Sequence, residues 1–216
     1  MKREDRPEDG DIRGFFDAEA NRYGREDSGA GLLQTRIRAA AAAALEGVPG
    51  PVFEVGCGNG MLLELLSPSA DAGLYGADFS DRMLAGVRGR LGRPPPLVQA
   101  RAQELPVRDA SLGAVACVNT IYNLPDAASL AIVLREFLRV LRRGGLVVFE
   151  IRNRRDPLTR FLFHRGRSAQ HPLWMHDPAE TRELLGGLGF QVERAVPVLI
   201  PWERLAPAVL FAARRT

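Results

Sequence analysis

Cysteine is nearly absent: Cys57 and Cys117 are the only two among 216 residues. Each closes a predicted strand rather than sitting in a loop-rich framework, which excludes a disulfide-held scaffold and makes both small buried side chains. Lysine is scarcer still, with Lys2 alone, so the 29 cations are otherwise all arginine; against 26 acids they leave a formal charge of +3. An excess this small, with no concentrated basic face, argues against a nucleic-acid partner. No apolar run approaches the roughly 20 residues of a membrane span, and the mixed charges of residues 1–11 do not form a secretory leader. The expected address is cytoplasmic, without membrane contact. Histidine is limited to His164, His171 and His176, all between the fifth predicted strand and the next helix. Their separations lack the paired Cys/His spacing of a structural zinc site, so no metal is expected.

What the sequence has is a regular alternation. Residues 35–46 contain six alanines and predict a helix, ended by Gly47 and Pro49; Val52, Phe53 and Val55 then predict a buried strand closed by Gly56. Residues 61–66 start a short helix and 74–79 a second strand. Ser80 is an N-cap for a helix through Met83, Leu84 and Val87. Strands follow at 97–99 and 112–118. Leu130, Val133, Leu134, Phe137, Leu138 and Leu141 share one face of a helix expected to reach Arg143 and stop at Gly144 and Gly145. Residues 146–151 are unbroken apolar strand, of the kind buried on both faces of a parallel sheet. After an arginine-rich connection, Asp177, Pro178 and Glu180 form a capping-box pattern, and residues 191–198 and 206–212 predict two last strands.

This order predicts an α/β protein: a Rossmann-like three-layer sandwich around a mostly parallel seven-stranded sheet, with one antiparallel strand near the C-terminus. It reads as one domain over 1–216, with 1–14 a flexible tail, 15–47 a helical cap and 152–178 a substrate-side insertion. Residues 15–23, FFDAEANRY, have an aromatic face that could fold over a ligand or simply pack on the domain.

In such sheets ligands sit beyond the carboxyl ends of the strands. There VFEVGCGNG (52–60) places Gly56, Gly58 and Gly60 in a strand-to-helix turn, where glycine permits close backbone approach and φ > 0. Asp78 ends the next strand, where a carboxylate can accept both hydroxyl protons of a ribose. A dinucleotide fold wants GxGxxG, with a third glycine where this chain has Met61; here the pattern is GxGxG.

VFEVGCGNG, the strand YGADFS ending in Asp78, ELP at 104–106 and RVLRRGGLVVFE at 139–150 together resemble class I S-adenosylmethionine-dependent methyltransferases. The resemblance spans residues 51–150. It implies S-adenosylmethionine as cofactor and S-adenosylhomocysteine as product. It implies Glu54 and Gly56 beside the methionine amino group, Gly58 at the methionine and ribose end, Asp78 on the ribose hydroxyls and Phe79 against the adenine. Cys57 and Met83 are further candidates for that wall. The family commonly has an acid before ELP to accept from the adenine amino group; Arg101 stands there instead, leaving the Gln103 amide oxygen and the Ala102 backbone as adenine contacts. The Asn119 backbone would receive the methionine ammonium.

On the acceptor side, Tyr122 and Asn123 would face the substrate. The NxxY spacing of Asn119 and Tyr122 resembles the amine-methylating motif of nucleic-acid enzymes, but both central prolines are missing. His171 or His176 would suit a general base for a hydroxyl acceptor. Arg152, Arg154, Arg155, Arg160, Arg165 and Arg167 could hold an anionic acceptor or could be a solvated loop. The expectation is a monomeric or homodimeric enzyme that methylates a hydroxyl or amine of a small molecule. An NAD(P)-dependent oxidoreductase and a non-catalytic binding protein of the same fold stay open.

Overall fold

The computed structural model describes residues 9–20, 29–67, 73–166 and 173–216. The elements run α1 (Asp9–Glu19), α2 (Gly29–Leu45), β1 (Val52–Val55), α3 (Met61–Leu66), β2 (Leu74–Asp78), α4 (Asp81–Arg90), β3 (Leu97–Gln99), β4 (Leu112–Cys117), a 3-10 turn (Ile121–Asn123) and α5 (Ala127–Val140). Then come β5 (Leu141–Arg152), α6 (Pro157–Gly166), α7 (Pro178–Leu188), β6 (Phe190–Val198), a second 3-10 turn (Glu203–Leu205) and β7 (Ala208–Arg215). The strands form one sheet in the order β3-β2-β1-β4-β5-β7-β6. β1 to β5 pair in parallel, while β7 runs antiparallel to both β5 and β6. β7 is therefore the one reversed strand.

Side chains alternate across a strand, and the two faces of this sheet are filled accordingly. Phe53, Val115, Val147, Phe149 and Phe211 pack with Leu130, Val133, Leu134 and Phe137 of α5 and Leu185 of α7. Ala114, Ala116, Leu146, Val148 and Leu210 pack on the other face with Ile37 and Ala41 of α2, Leu62 and Leu63 of α3, and Val87 of α4. Truncating a fully buried ring such as Phe137 would cost about 3–5 kcal/mol. Among the described residues no helix is long and apolar enough to cross a membrane.

Helix starts follow the residues that satisfy their first free N–H groups. Ser80 accepts from the Met83 N–H, Asp126 from Ser129, and Asp177 from Ala179 and Glu180. The Glu180 carboxylate turns to Arg154 at 2.7 Å, so the cap at Asp177 is one-sided.

Four boundaries differ from the sequence pattern. α5 stops at Val140, and β5 begins at Leu141 with Gly144, at φ 72°, inside the strand. The reason is pairing: the Arg139 and Val140 carbonyls accept from Ala110 and Ser111, and Leu141 pairs with Leu112. α6 lies in the arginine-rich connection, for which no helix was expected. Its start is encoded by Asp156, whose carboxylate accepts from the Thr159 N–H at 2.8 Å, followed by Pro157. α1 begins at Asp9, within the residues expected to be a tail. The last strand runs 208–215 rather than 206–212, a slide set by its ladder to β5 from Leu146↔Arg214 to Arg152↔Ala208.

Candidate functional site

β1 and β2 deliver the turn between Val55 and Met61 to the carboxyl edge of the sheet. Gly56 has φ 72°, and a Cβ there would overlap Thr120 Oγ1 and sit 2.7 Å from its Cγ2. At Gly60, φ 85°, a Cβ would meet Val87 Cγ1 at 2.9 Å. Glycine therefore lets the turn press against the wall after β4 and lets α3 start against α4.

The turn is fastened to Asp78. Its Oδ2 accepts from the Gly58 N–H at 2.8 Å and its Oδ1 from the Ser80 N–H at 3.0 Å. Each oxygen keeps a lone pair for a further donor. Burial pushes the carboxyl up, and the N–H groups of Ser80, Gly58 and Phe79 pull it part of the way back. Glu54, on β1, is 2% exposed and its Oε2 has no hydrogen-bond partner. Burial, followed by the nearby Asp78 charge, raises its pKa well above the carboxylate range, with Arg38 of α2 opposing.

Two adjoining hollows open here. One is lined by Glu54, Gly56, Cys57, Gly58, Asp78, Phe79, Met83 and Asn119, together with Phe16, Arg38, Thr120 and Asn123. The second shares Gly56, Phe79, Thr120 and Asn123 and extends past Ala102, Gln103, Arg101, Leu124 and Trp174. All ten cofactor candidates named from the sequence thus line one or other of these two adjoining hollows. α1 forms their rim: the Phe16 ring meets Phe79 edge-on at 5.9 Å, and the Ser80 hydroxyl donates to Asp17 at 2.5 Å.

The candidate acid–base groups are placed differently. Tyr122 is buried with the Arg152 guanidinium over its ring at 5.1 Å, and it lines neither hollow. His176 is 6% exposed, lies outside both linings, and its Nε2 has no partner. Burial lowers its pKa, opposed by the Leu124 carbonyl. His171 lies outside the described residues. Among those described, no three His, Cys, Asp or Glu side chains converge as metal ligands.

Three of the six arginines expected to face an anion are engaged by the protein's own acids. Arg154 meets Glu180, Arg155 meets Asp177 at 2.7 Å, and Arg152 lies 3.7 Å from Glu150. The sequence reading missed two groups. Arg38 follows from the α2 face only once the helix is docked. Glu150 was visible as the end of an apolar strand but gave no sign of its partner: both of its oxygens accept from the Asn119 N–H, at 3.0 and 2.9 Å.

Residues 53–149 match a family model described as a methyltransferase domain. That stretch, which holds the glycine turn, Asp78 and the strands on either side of them, therefore has the sequence pattern of a methyltransferase domain. The chain is 35% identical over 133 residues to proteins of two Mycobacterium tuberculosis strains named probable S-adenosylmethionine-dependent methyltransferases. That alignment covers 62% of this chain and 43% of the relatives, so the chain spans less than half the length of the curated proteins it matches. The methyltransferase fold is shared with magnesium protoporphyrin IX methyltransferase of Synechocystis PCC 6803 with bound SAH. The TM-score is 0.73 at 18% identity, over 95% of this chain and 98% of that one. A Haloferax volcanii protein in complex with the Trm112 methyltransferase activator gives 0.73 at 21%, over 93% and 97%.

The residues that line the hollows fit S-adenosylmethionine. The unpartnered Glu54 Oε2 is a buried acceptor on the cavity wall, suited to an ammonium, and Asp78 keeps acceptor capacity for a diol. Ala102 and Gln103 border the second hollow, where an adenine would lie; the backbones of Arg101 and Glu104 pair at its edge.

Proposed function

We propose that this domain moves the methyl group of S-adenosylmethionine to a hydroxyl or amine of a small molecule. The observation that carries the reading is the buried Glu54 carboxylate, with one oxygen unpartnered, on the wall of a depression whose glycine turn is tied to Asp78. A carboxylate held this way is costly unless a cation meets it, and the cofactor's amino group is such a cation.

The cofactor supplies a methyl on a cationic sulfur, so transfer needs chiefly an in-line nucleophile at about 3 to 3.5 Å and exclusion of water. Glu54 and Arg38 would hold the charged amino-acid end, Asp78 the ribose, and Phe79 with the 102–103 segment the base. Phe16, Leu62 and Met83 supply the apolar lining that excludes water. Thr120 and Asn123 border both hollows and are the groups an acceptor would meet. Positioning therefore does most of the work in this reading, consistent with Tyr122 and His176 lying outside the linings.

The test is calorimetric titration with S-adenosylmethionine, S-adenosylhomocysteine and NAD, on the natural protein and Asp78→Ala, followed by methyl transfer from labelled cofactor to a panel of phenols and amines. Binding of the first two ligands, none of NAD, and roughly a ten- to hundred-fold loss in the variant are expected. NAD binding alone, or no binding, would refute the assignment.

A further inference from the structure

Glu150 and Arg152 are two residues apart on β5 and so project from the same face of the sheet. They are 0% and 4% exposed, on the face filled by Val148, Leu210 and the α2 side chains. Charges in such a place need partners. Their direct approach, 3.7 Å from Arg152 Nη1 to Glu150 Oε1, is too long for a hydrogen bond. They are joined through a third residue. The Asn119 N–H donates to both Glu150 oxygens, and the Asn119 Oδ1 accepts from Arg152 Nη2 at 3.1 Å. Asn119 is thus gripped by its backbone and by its side chain.

The grip acts on a strained residue. Asn119 has φ 55°, in the left-handed region that few non-glycine residues occupy. It lies two residues past Cys117, where β4 ends, and forms part of the cavity wall with Glu54 and Gly56. Arg152 is itself fixed, with its guanidinium over the Tyr122 ring.

We infer that Glu150 and Arg152 are positioning residues that clamp Asn119 in the conformation in which it closes the amino-acid end of the cofactor cavity. The inference rests on the cofactor assignment above. Neither side chain lines the cavity; both act through Asn119.

The clamp is sensitive to proton binding. Burial pushes the Glu150 carboxyl up to about 7, against the opposing pull of Arg152 on its own strand, the Asn119 N–H on the β4 side and Arg38 on α2; the Cys117 thiol, on the opposite face of β4, is near enough to feel its charge. A protonated carboxyl carries a hydroxyl and no longer accepts with two equal charged oxygens. The clamp is complete above that pH and slackens below it.

The experiment is calorimetric titration of S-adenosylhomocysteine between pH 5.5 and 8.5, with the natural protein, Glu150→Gln and Arg152→Gln. Glu150→Gln keeps the shape and removes the charge. At pH 8.5 it should bind roughly tenfold more weakly than the natural protein. The difference should close as the pH falls, because only the natural protein loses its clamp; Glu54, present in all three proteins, cancels in that difference. Arg152→Gln removes the cation beside Glu150, so the break in its profile should move to higher pH.

Equal affinities of the natural protein and Glu150→Gln at every pH overturn the inference, even if the variant melts at a different temperature. If Glu150→Gln does not fold, an unshifted break in Arg152→Gln does the same. Failure of the natural protein to bind at any pH would instead remove the cofactor assignment, and the clamp with it.

Discussion

Gly56→Ala isolates the contact that shapes the cavity. The new methyl faces two costs. The φ of 72° is left-handed, which costs an alanine about 1–2 kcal/mol. The methyl would also overlap Thr120 Oγ1 and lie 2.7 Å from Cγ2, and overpacking of this kind typically costs about 1–3 kcal/mol. Together they predict a loss of about 2–5 kcal/mol. At about 2–4 °C per kcal/mol for a chain of this size, Tm should fall by roughly 4–20 °C. The two costs separate in a double-mutant cycle. Thr120→Ala removes both Oγ1 and Cγ2 and gives up long hydrogen bonds to the Gly56 and Val118 carbonyls, at 3.4 and 3.2 Å, and a contact with the Cys117 thiol, so alone it should cost about 1 kcal/mol. In the double variant the overlap is gone and the backbone cost stays. Urea unfolding should therefore show a favourable coupling of about 1–3 kcal/mol. Strict additivity of the two substitutions would refute the claim that this glycine is required by Thr120 rather than by its dihedral angle alone.

Other outcomes follow from neighbouring features. Because the Glu150 carboxyl is raised to about 7 in the folded chain, the folded state binds the proton more tightly than the unfolded one between about pH 4.5 and 7. The sign is then fixed: this group's contribution to stability is full at low pH and is lost as pH rises through 7, so Glu150→Gln should match or exceed the natural protein in Tm at pH 8 while binding S-adenosylhomocysteine less well. Thermal unfolding of the ligand-free proteins at pH 5.5 and 8 checks this, and a variant less stable at pH 8 than at 5.5 relative to the natural protein refutes it. Ser80→Ala removes both the α4 cap and the tie to Asp17, so Tm should drop by about 2–4 °C and limited proteolysis should reach α1 sooner. Unchanged digestion of α1 would mean that Phe16 and the Arg13–Asp81 contact are enough to dock it. Burial pushes both thiols well up, so neither Cys57 nor Cys117 should react with iodoacetamide at pH 7.5 in the folded protein; mass spectrometry showing rapid labelling would contradict their buried state.

How much was legible in the sequence depended on whether the signal was local. The glycine turn, Asp78 at the end of β2, and the caps at Ser80 and Asp177 are decided within a few residues, and the cofactor wall followed from them. Asp156 and Pro157 carried the same kind of cap as Asp177 and Pro178, yet arginine density hid α6. The boundary at Val140 could not be read because Leu141 belongs to the strand through its pairing with Leu112, a residue distant in the chain. Arg38 and Glu150 were unreadable for a related reason. One is an arginine on an alanine helix and the other an acid ending an apolar strand, and each acquires its role only where α2, β4 and β5 meet. The acceptor side stayed least legible, since His171 falls outside the described residues, while Tyr122 and His176 are turned inward by Arg152 and by the carbonyls of the 121–124 segment.

The reversed strand β7 has a consequence for the order in which the molecule can assemble. The cradle for the cofactor is written early, in β1, β2 and β4, and these strands can pair as soon as they leave the ribosome. β5 cannot be enclosed until β7 arrives to lie between it and β6, and the pairs Glu150↔Leu210 and Arg152↔Ala208 show that the clamp is enclosed by that same late strand. A nascent chain that has made everything through β6 therefore holds a nearly finished binding cleft beside an open, strongly apolar strand edge. Ligand capture and protection from aggregation would be completed together, by a segment that touches the cofactor nowhere.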